Sequence, residues 1–316
     1  MTDSNGSWER DLVTKLASEA LKEQRRRRRW GIFFKLLTFA YVTFVLVLAV
    51  DWSSRGDFAS SKKHTAMVDL SGVIAPGNDA SAEKITASLQ AAFKDKNTVG
   101  VIMRINSPGG SPVQAQTIYD EMKRLRKKYP DIPLYAVVED ICASGGYFVA
   151  VGADRIYVGK ASIVGSIGVL MNGFGFTGLM DKLGIERRLI TAGENKGMLD
   201  PFSPLEEKDK NYVTGMMKDI HQQFIAVVKE GRGKRLKETP DMFSGLFWTG
   251  DKSVELGLAD GFGSLDSVAR DVIKAEDIVD YTMKEGFAEK VAKRFGASMA
   301  SSLAQLLVYN NWSLPR

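Results

Sequence analysis

Cysteine and histidine are nearly absent from this chain of 316 residues, and each shortage excludes a class of protein. The single cysteine, Cys142, rules out an intramolecular disulfide, and with it a small secreted domain held together by such bridges. The two histidines, His64 and His221, are too few for a histidine-rich metal site. The Cys-x-x-Cys, His-Glu-x-x-His and EF-hand spacings are also missing. We therefore expect neither a metal centre nor a cofactor.

One long apolar run and one cluster of positive charge lie next to each other near the N-terminus. The formal net charge is +5, and the run Arg25–Arg29 can account for it. Immediately after this run, residues 30–50 are almost entirely apolar. About 20 such residues at ~1.5 Å each cover about 30 Å, the thickness of the hydrocarbon core of a bilayer. The pattern predicts a transmembrane anchor over 30–51, preceded by a basic cytoplasmic segment over 1–29.

The position of the arginines also predicts the orientation of this anchor. Because they lie on one side only, the N-terminus is expected in the cytoplasm and everything after Asp51 outside it. Nucleic-acid binding is a rival interpretation of Arg25–Arg29, but a basic run beside a span is usually a topology signal. A cleaved signal peptide is a second alternative, since Val47-Leu48-Ala49 resembles a cleavage site. The apolar run exceeds the usual ~7–15 residues of such peptides, which favours an uncleaved anchor.

Residues 52–64 are polar and predict a tether, after which strand and helix patterns alternate. The predicted strands cover 67–74, 99–105, 134–138, 155–158, 167–170, 187–191 and 277–283, and the predicted helices cover 82–93, 113–127, 204–230 and 251–256. Such alternation is typical of parallel βαβ units, which bind ligands at the carboxyl ends of their strands. The sequence therefore predicts an α/β domain over 65–285, followed by a C-terminal helical tail over 286–316.

The functional prediction depends on Ser144, in the run Ala143-Ser144-Gly145-Gly146. It lies between the strand pattern over 134–138 and an apolar helical pattern that begins at Tyr147. A serine on a sharp strand-to-helix turn presents its Oγ beside the free N–H groups of the first helical turn. The loop 106–110 follows a neighbouring strand at the same edge of the sheet. We predict that Ser144 is a nucleophile, against the alternative of a solvated serine in a glycine-rich turn.

A serine nucleophile needs a base, and Lys196 is the candidate. His64 falls in the predicted tether and His221 in a helix far from any predicted strand end, so neither histidine suits the role. Lys196 follows the strand predicted to end at Thr191. A lysine acts as a base only when its pKa falls from about 10.4 toward about 7–8, which burial achieves. Ser166 is a suitable hydroxyl to orient the amine.

Six motifs, in order along the chain, resemble those of the signal peptide peptidase A family. They are N-S-P-G-G at 106–110, I-C-A-S-G-G-Y at 141–147, A-D-R-I-Y at 153–157, S-I-V-G-S-I-G-V at 162–169, a Gly-x-x-Lys loop before Asp200-Pro-Phe, and T-G-D-K-S-V-E-L-G-L-A-D at 249–260. That family comprises membrane-anchored bacterial Ser–Lys peptidases with a Clp-protease/crotonase-like core. The resemblance therefore implies this α/β fold.

The resemblance also implies roles for individual residues. Ser144 is expected to be the nucleophile, Lys196 the general base and Ser166 the hydroxyl that orients the lysine. Gly109 and Gly145 are expected to provide the oxyanion hole.

Substrates, partners and location are implied in the same way. The chain has one copy of the core, as in the short, ring-forming members, for which the resemblance suggests an octamer whose neighbouring subunits can assemble the dyad. The expected substrates are cleaved signal peptides and other hydrophobic peptides, at the bacterial inner membrane with the catalytic domain on the periplasmic side. No nucleic acid is expected as a partner. Because signal peptides have apolar centres, we expect an apolar cleft beside Ser144, lined by Ile167, Val169 and Leu170.

Several other interpretations compete with this one. The protein could be a protease of one membrane-protein partner, as stomatin-operon proteases are. It could also be a non-catalytic ring scaffold, but the intact Ser144/Lys196 pair argues against this alternative. A crotonase-like acyl-CoA enzyme is disfavoured by the outward topology. The stretch Gly173–Gly178 matches the dinucleotide-binding G-x-G-x-x-G pattern, but a lone match is a weak signal. Cys142 is more typical of a small buried filler than of a nucleophile.

Overall fold

The structure is a computed structural model that describes residues 5–54 and 62–283. The chain divides into two compact units, one containing the N-terminal helix and the other spanning Phe58–Lys284. The predicted helical tail over 286–316 lies outside the described residues, as does most of the predicted tether over 52–64. All six sequence motifs fall in the second unit.

The described part of the first unit is helix α1 (Asn5–Ser54), which contains the apolar run. Within it the ring of Trp30 lies 5.7 Å from the rings of Phe33 and Phe34. Among the described residues, no helix is both long and apolar enough to cross a membrane. The anchor over 30–51 therefore stays a prediction.

A mixed sheet of eight strands forms the centre of the second unit. Its strands are β1 (His64–Ser71), β2 (Thr98–Ser107), β3 (Leu134–Ala143), β4 (Arg155–Val158), β5 (Ile163–Gly165), β6 (Phe247–Thr249), β7 (Gly261–Phe262) and β8 (Ile278–Asp280). They lie in the order β6-β5-β3-β2-β1-β8, while β4 pairs with both β3 and β7. Neighbouring strands run parallel, except that β5 and β6 are antiparallel. The predicted α/β fold class is confirmed.

Helices connect most of the parallel strands, as predicted. They are α2 (Ala82–Lys94), α3 (Pro112–Lys128), α4 (Gly145–Ala150), α5 (Thr177–Leu183), α6 (Glu207–Arg232), α7 (Gly250–Glu255) and α8 (Leu265–Ser267), with a 3-10 turn at Gly233–Arg235 and a π-helical turn at Val268–Ile273. Helix α3 begins at Pro112, whose missing N–H costs nothing in the first turn, and the Ser111 hydroxyl accepts from the Gln114 N–H. Its buried side chains recur at helical spacing and join the core: Ala115, Ile118, Tyr119, Met122 and Leu125.

Strand β3 is long enough to pair with two different strands on one side. Its first half pairs with β4, whereas its last residues, Ile141–Ala143, pair with Ile163–Gly165 of β5. On its other side, β2 ends at Ser107 beside the same part of β3. Ser144 follows β3 and Ser166 follows β5, so both leave the sheet at the carboxyl edge.

Asp260, the last residue of the motif at 249–260, ties α6 to the sheet. Its carboxylate accepts hydrogen bonds from the guanidinium groups of Arg232 at 2.7 Å and Arg235 at 3.0 Å, and from the N–H of Ile156 at 2.8 Å. Burial disfavours the charged carboxylate, but these donors outweigh it and lower the pKa of Asp260. The charged pair with the buried Arg232 therefore holds α6 in place over the domain.

Two of the predicted strands are wrong. The strand predicted over 167–170 lies earlier, at Ile163–Gly165, because these residues pair with β3 and the chain turns away at Ser166. The strand predicted over 187–191 does not form, because these residues are exposed and pair with no strand in the described part of the chain.

His64 is also misplaced by the sequence prediction, which put it in the tether. It is the first residue of β1 and is fully buried. Its Nε2 lies 2.9 Å from the Tyr281 hydroxyl, which donates to the Asp95 carboxylate at 2.7 Å. The network joins the start of β1 to the chain just after β8.

Residues 169–206, here called the arm, leave the domain between β5 and α6 and contain no buried residue. The arm includes α5 and has contacts of its own. The rings of Phe176 and Phe202 stack at 5.5 Å, and the Arg187 guanidinium lies over the Phe202 ring and pairs with Asp200 at 3.2 Å. The arm therefore has contacts of its own, although none of its residues is buried by the rest of this chain.

Candidate active site

Ser144 occupies the strand-to-helix turn that the sequence predicts. Its backbone has φ 51° and ψ −124°, a conformation that residues other than glycine rarely adopt and that costs about 1–3 kcal/mol. The Ser144 N–H donates to the Gly165 carbonyl at 2.9 Å, and its own carbonyl accepts from the Phe148 N–H at 2.9 Å. These bonds to β5 and to α4 hold the turn in its strained form. Such strain is typical of a nucleophile elbow.

Gly109 lies so close to this turn that no side chain would fit. A Cβ atom added to Gly109 would lie 2.7 Å from both the Gly145 nitrogen and the Ser144 Cβ. The residue also has φ +101°, which favours glycine. Its carbonyl accepts from the Ile74 N–H at 2.9 Å, which fastens the loop to the chain after β1.

The donors that line the cleft are Gly110 and Gly145, rather than Gly109 and Gly145. The Gly109 N–H already donates to the buried Ser107 hydroxyl at 3.2 Å. The N–H of Gly110 has no such partner among the described residues, and that of Gly145 has no intrahelical acceptor because the residue begins α4. Both residues line the cleft beside Ser144. The sequence prediction named Gly109, whereas the glycine of N-S-P-G-G that lines the cleft is the second one, Gly110.

The cleft has a volume of about 1090 Å³ and is lined by elements from both sides of the site. Its lining residues are Pro108, Gly110, Pro112, Val113, Ala115, Gln116, Thr117, Ser144, Gly145, Phe148, Ser166, Gly168, Val169, Leu170, Ile220, His221, Gln223, Phe224, Ser244 and Gly245. None of them is an aspartate, glutamate, lysine or arginine. Val169 and Leu170 line the cleft, whereas Ile167 is fully buried and packs into the core.

Ser166 shares the cleft with Ser144 and has a similarly unusual backbone. Its φ is 54°, and its N–H donates to the Leu246 carbonyl at 2.7 Å. The Gly168 N–H then donates to the Ser166 carbonyl at 2.9 Å, which closes a tight turn at the end of β5. The structure thus brings two predicted site residues, Ser144 and Ser166, to one cavity.

Lys196 lies elsewhere in the protomer. It is exposed on the arm, in a turn closed by a hydrogen bond from its own N–H to the Gly193 carbonyl at 3.1 Å. It is not among the residues that line the cleft. The predicted base and the predicted nucleophile are therefore not united in one cavity by this chain alone.

His221 is in the cleft, contrary to the expectation that it lies far from any strand end. Helix α6 crosses beside the site, and the His221 Nε2 lies 3.0 Å from the Ile167 carbonyl. Sequence analysis missed this proximity because nothing local in α6 indicates which strand ends the helix passes.

Cys142 lies two residues before Ser144 but does not reach the cleft. It is fully buried, and burial raises the pKa of its thiol far above the ordinary value. The reactive thiolate is therefore suppressed. The residue packs in the core beneath the serine turn, as a small filler.

Two family profiles match the chain: Peptidase family S49 over residues 126–279 and Clp protease over residues 62–163. A protein of Synechocystis sp. named as a protease is 30% identical over 205 residues, which cover 65% of this chain and 72% of that relative. The chain belongs to peptidase family S49. A protein of Enterococcus faecium named as signal peptide peptidase SppA is 28% identical over 234 residues, covering 72% of this chain and 67% of that relative.

Membership of family S49 agrees with the fold, since the Clp protease match covers β1 to β4 and ends at the first residue of β5. The family and the named relatives place the chain among the serine-type peptidases. A further relative, from Brucella abortus, is 42% identical over 218 residues and bears the name Na(+)/H(+) antiporter NhaA. That match covers 67% of this chain but 30% of the relative, so the chain spans less than a third of the relative's length.

Replacing Gly110 with alanine tests its place beside the nucleophile. A Cβ atom there would lie 2.1 Å from the Ile74 carbonyl oxygen, and the φ of +151° disfavours a side chain, so the loop must move. If its N–H stabilises the oxyanion, turnover of a fluorogenic peptide should fall by about 10²-fold or more. Gly215→Ala is the control, since nothing lies within 4 Å of an added Cβ there, and it should keep full activity. A folded Gly110→Ala variant with normal turnover would remove Gly110 from the site.

Proposed function

We propose that this S49 protein is a membrane-tethered serine endopeptidase with a Ser144–Lys196 dyad. Its substrates are remnant signal peptides and other hydrophobic peptides released in the membrane. The observation that carries the proposal is Ser144 itself: a serine held in a strained turn, at the mouth of an apolar cleft, beside two backbone N–H groups.

The reaction is acyl transfer to serine and then to water. The Ser144 Oγ attacks the scissile carbonyl carbon while the neutral Lys196 amine takes the hydroxyl proton. The N–H groups of Gly110 and Gly145 stabilise the negative charge that develops on the carbonyl oxygen. When the tetrahedral intermediate collapses, the C–N bond breaks and Lys196 returns the proton to the leaving amine. Water then attacks the acyl-enzyme by the same route, which releases the acid and regenerates Ser144.

The exposure of Lys196 supports a dyad that is completed between subunits. Only the neutral amine is a base, and burial is what favours that form of a lysine. Lys196 is exposed in one protomer, on the arm, and is not among the residues that line the cleft of its own chain. A second copy of the chain, placed so that the arm of one reaches the cleft of the next, buries the lysine and supplies the missing base.

The apolar surface of the arm supports the same assembly. Its most exposed large apolar side chains are Leu170, Phe174 and Ile190, the last of which is 95% exposed. Apolar side chains exposed together over one segment usually mark a surface that another chain covers. Because the arm also carries Lys196, the partner that fits is another copy of this chain. Head-to-tail contacts of this kind form a ring when the rotation between neighbouring copies closes on the first copy.

The substrate class follows from the cleft. Its lining has no acidic or strongly basic side chain, and Phe148 and Phe224 are among its apolar walls. Such a cleft takes apolar peptide side chains and disfavours charged ones, whose desolvation is costly. The central segments of signal peptides are apolar runs of ~7–15 residues. The name of the Enterococcus relative agrees with this substrate class.

A protease of one specific membrane-protein partner is the second candidate. The Brucella relative favours it, because the region similar to this chain occupies 30% of a protein that bears the name of an antiporter. Released signal peptides separate the two candidates. An enzyme that reacts with a fluorophosphonate probe but leaves a mixture of released signal peptides uncut would favour the second.

Substitutions in the dyad should abolish cleavage while leaving the fold intact. We expect Ser144→Ala and Lys196→Ala each to lose at least about 10⁴-fold in turnover, and the double variant to be no worse, because members of one catalytic unit are not additive. Lys196→Arg should be equally inactive, since guanidinium stays protonated. Ser166→Ala should be milder, because it loosens the lysine without removing a reacting group. Mass spectrometry of products from a signal-peptide mixture measures the turnover, and normal cleavage by Lys196→Ala would exclude the dyad.

Mixing two inactive variants tests whether the dyad is shared between subunits. If Ser144→Ala and Lys196→Ala are co-expressed, about one interface in four of a randomly mixed ring joins an intact serine to an intact lysine. Activity should therefore return to about a quarter of the wild-type value. Each variant purified alone is the control. Mixed assemblies, verified by mass spectrometry, that stay inactive would show that each dyad forms within one protomer.

Localisation to the bacterial inner membrane, with the peptidase domain outside the cytoplasm, is part of the proposal. The five arginines Arg25–Arg29 lie on one side of the predicted anchor over 30–51, which favours a cytoplasmic N-terminus. Alkaline phosphatase, which is active only outside the cytoplasm, should be active when fused after Ser60. An inactive fusion, together with an active cytoplasmic reporter at the same point, would reverse this topology.

A further inference from the structure

His221 makes a hydrogen bond that the proposed reaction does not use. Its Nε2 lies 3.0 Å from the carbonyl oxygen of Ile167. A carbonyl oxygen can only accept, so Nε2 carries the proton and donates. The histidine is half-buried at the cleft, and its bond joins α6 to the residue directly after Ser166.

The Ile167 carbonyl belongs to the tight turn that ends β5. Ser166 holds a left-handed φ of 54° there, and the Gly168 N–H donates back to the Ser166 carbonyl at 2.9 Å. A left-handed serine is a strained conformation that persists only where its surroundings hold it. The Ser166 N–H donates to the Leu246 carbonyl, and His221 donates to the carbonyl of the next residue, Ile167, so the turn is held on both sides of Ser166.

This turn also determines where the arm begins. Directly after Gly168 the chain enters the arm at Val169, and the Lys196 loop lies farther along it. A rotation of the Ile167 peptide would therefore move both the Ser166 hydroxyl and the root of the arm. Neither displacement requires any change at Ser144.

We infer that His221 is a positioning residue whose Nε2–H holds the turn that presents Ser166 to the cleft and starts the arm. The inference rests on the proposed Ser–Lys mechanism, in which Ser166 orients the lysine. His221 acts through the backbone of Ile167 and needs no contact with the scissile bond. What it requires is a donor at the position of Nε2, and not a basic nitrogen.

Two substitutions separate the donor from the ring. His221→Gln retains an N–H donor that reaches to a similar distance but has no basic nitrogen, whereas His221→Phe retains the ring and loses the donor. We expect His221→Phe to lower kcat about tenfold, the usual worth of one such hydrogen bond, with KM within about twofold of wild type. We expect His221→Gln to keep kcat within about threefold of wild type.

A double substitution tests whether the effect passes through Ser166. In a Ser166→Ala background the turn has no hydroxyl to present and only the displacement of the arm remains, so adding His221→Phe should lower kcat by clearly less than the tenfold expected for His221→Phe alone. A residue that only supports helix packing would instead add its full effect. Gln222→Ala, on the exposed face of the same helix, is the control and should behave as wild type. Thermal unfolding and assembly state are measured for every variant.

Three results would overturn the inference: wild-type kcat in a folded His221→Phe variant, a His221→Gln variant as slow as His221→Phe, or full additivity with Ser166→Ala. A slow His221→Gln variant would show that the ring or its basic nitrogen is what matters. Failure of the proposed function is distinguishable, because the wild-type protein would then neither react with a fluorophosphonate probe nor cleave peptides.

Discussion

The constraint on which the site depends is the close contact between two backbones at the carboxyl edge of the sheet. Ser144 turns from β3 into α4 with a positive φ, and Gly109 packs against it with no space for a Cβ atom. The strained serine backbone is held because its N–H is bonded to Gly165 of β5. Since β2, β3 and β5 each supply one of these segments, the nucleophile depends on the register of three strands.

The buried side chains beneath this contact serve the same purpose. The Ser107 hydroxyl donates to the Gly72 carbonyl at 2.7 Å and accepts the Gly109 N–H, so one buried serine joins the chain after β1 to the glycine loop. Cys142 fills the space under the turn as a small apolar group. Because the Gly109 N–H is consumed in this way, the next amide, that of Gly110, is left for the cleft. In the proposed mechanism, this structural hydrogen bond decides which glycine N–H can act on a substrate.

Local sequence patterns predicted what short-range geometry determines. Ser144 and the loop 106–110 were found because each follows a predicted strand within a few residues, and strand ends in parallel sheets share one edge. Ser166 was named for its hydroxyl and for the motif around it, since the strand that it follows was predicted at the wrong place. His221 was missed because its place depends on the path of α6 across the domain, which ion pairs such as Arg232–Asp260 hold. His64 was misplaced because the hydroxyl beside its Nε2 is that of Tyr281, which lies far along the chain and in turn donates to Asp95.

The arm explains why the strand predicted over 187–191 is wrong. A short apolar run such as Leu189-Ile190 indicates that part of a segment is covered, but it does not say by what. The sheet of this domain does not bury the apolar side chains of the arm, since every residue of the arm remains at least partly exposed. The same property has a functional consequence in the proposed mechanism. A protomer that holds Ser144 without a buried lysine lacks a base. Peptide cleavage therefore requires the contact between copies that buries the arm. In this mechanism, association of two copies removes water from the Lys196 amine and at the same time places the amine beside Ser144. In a monomeric enzyme the wall of the cleft has this role.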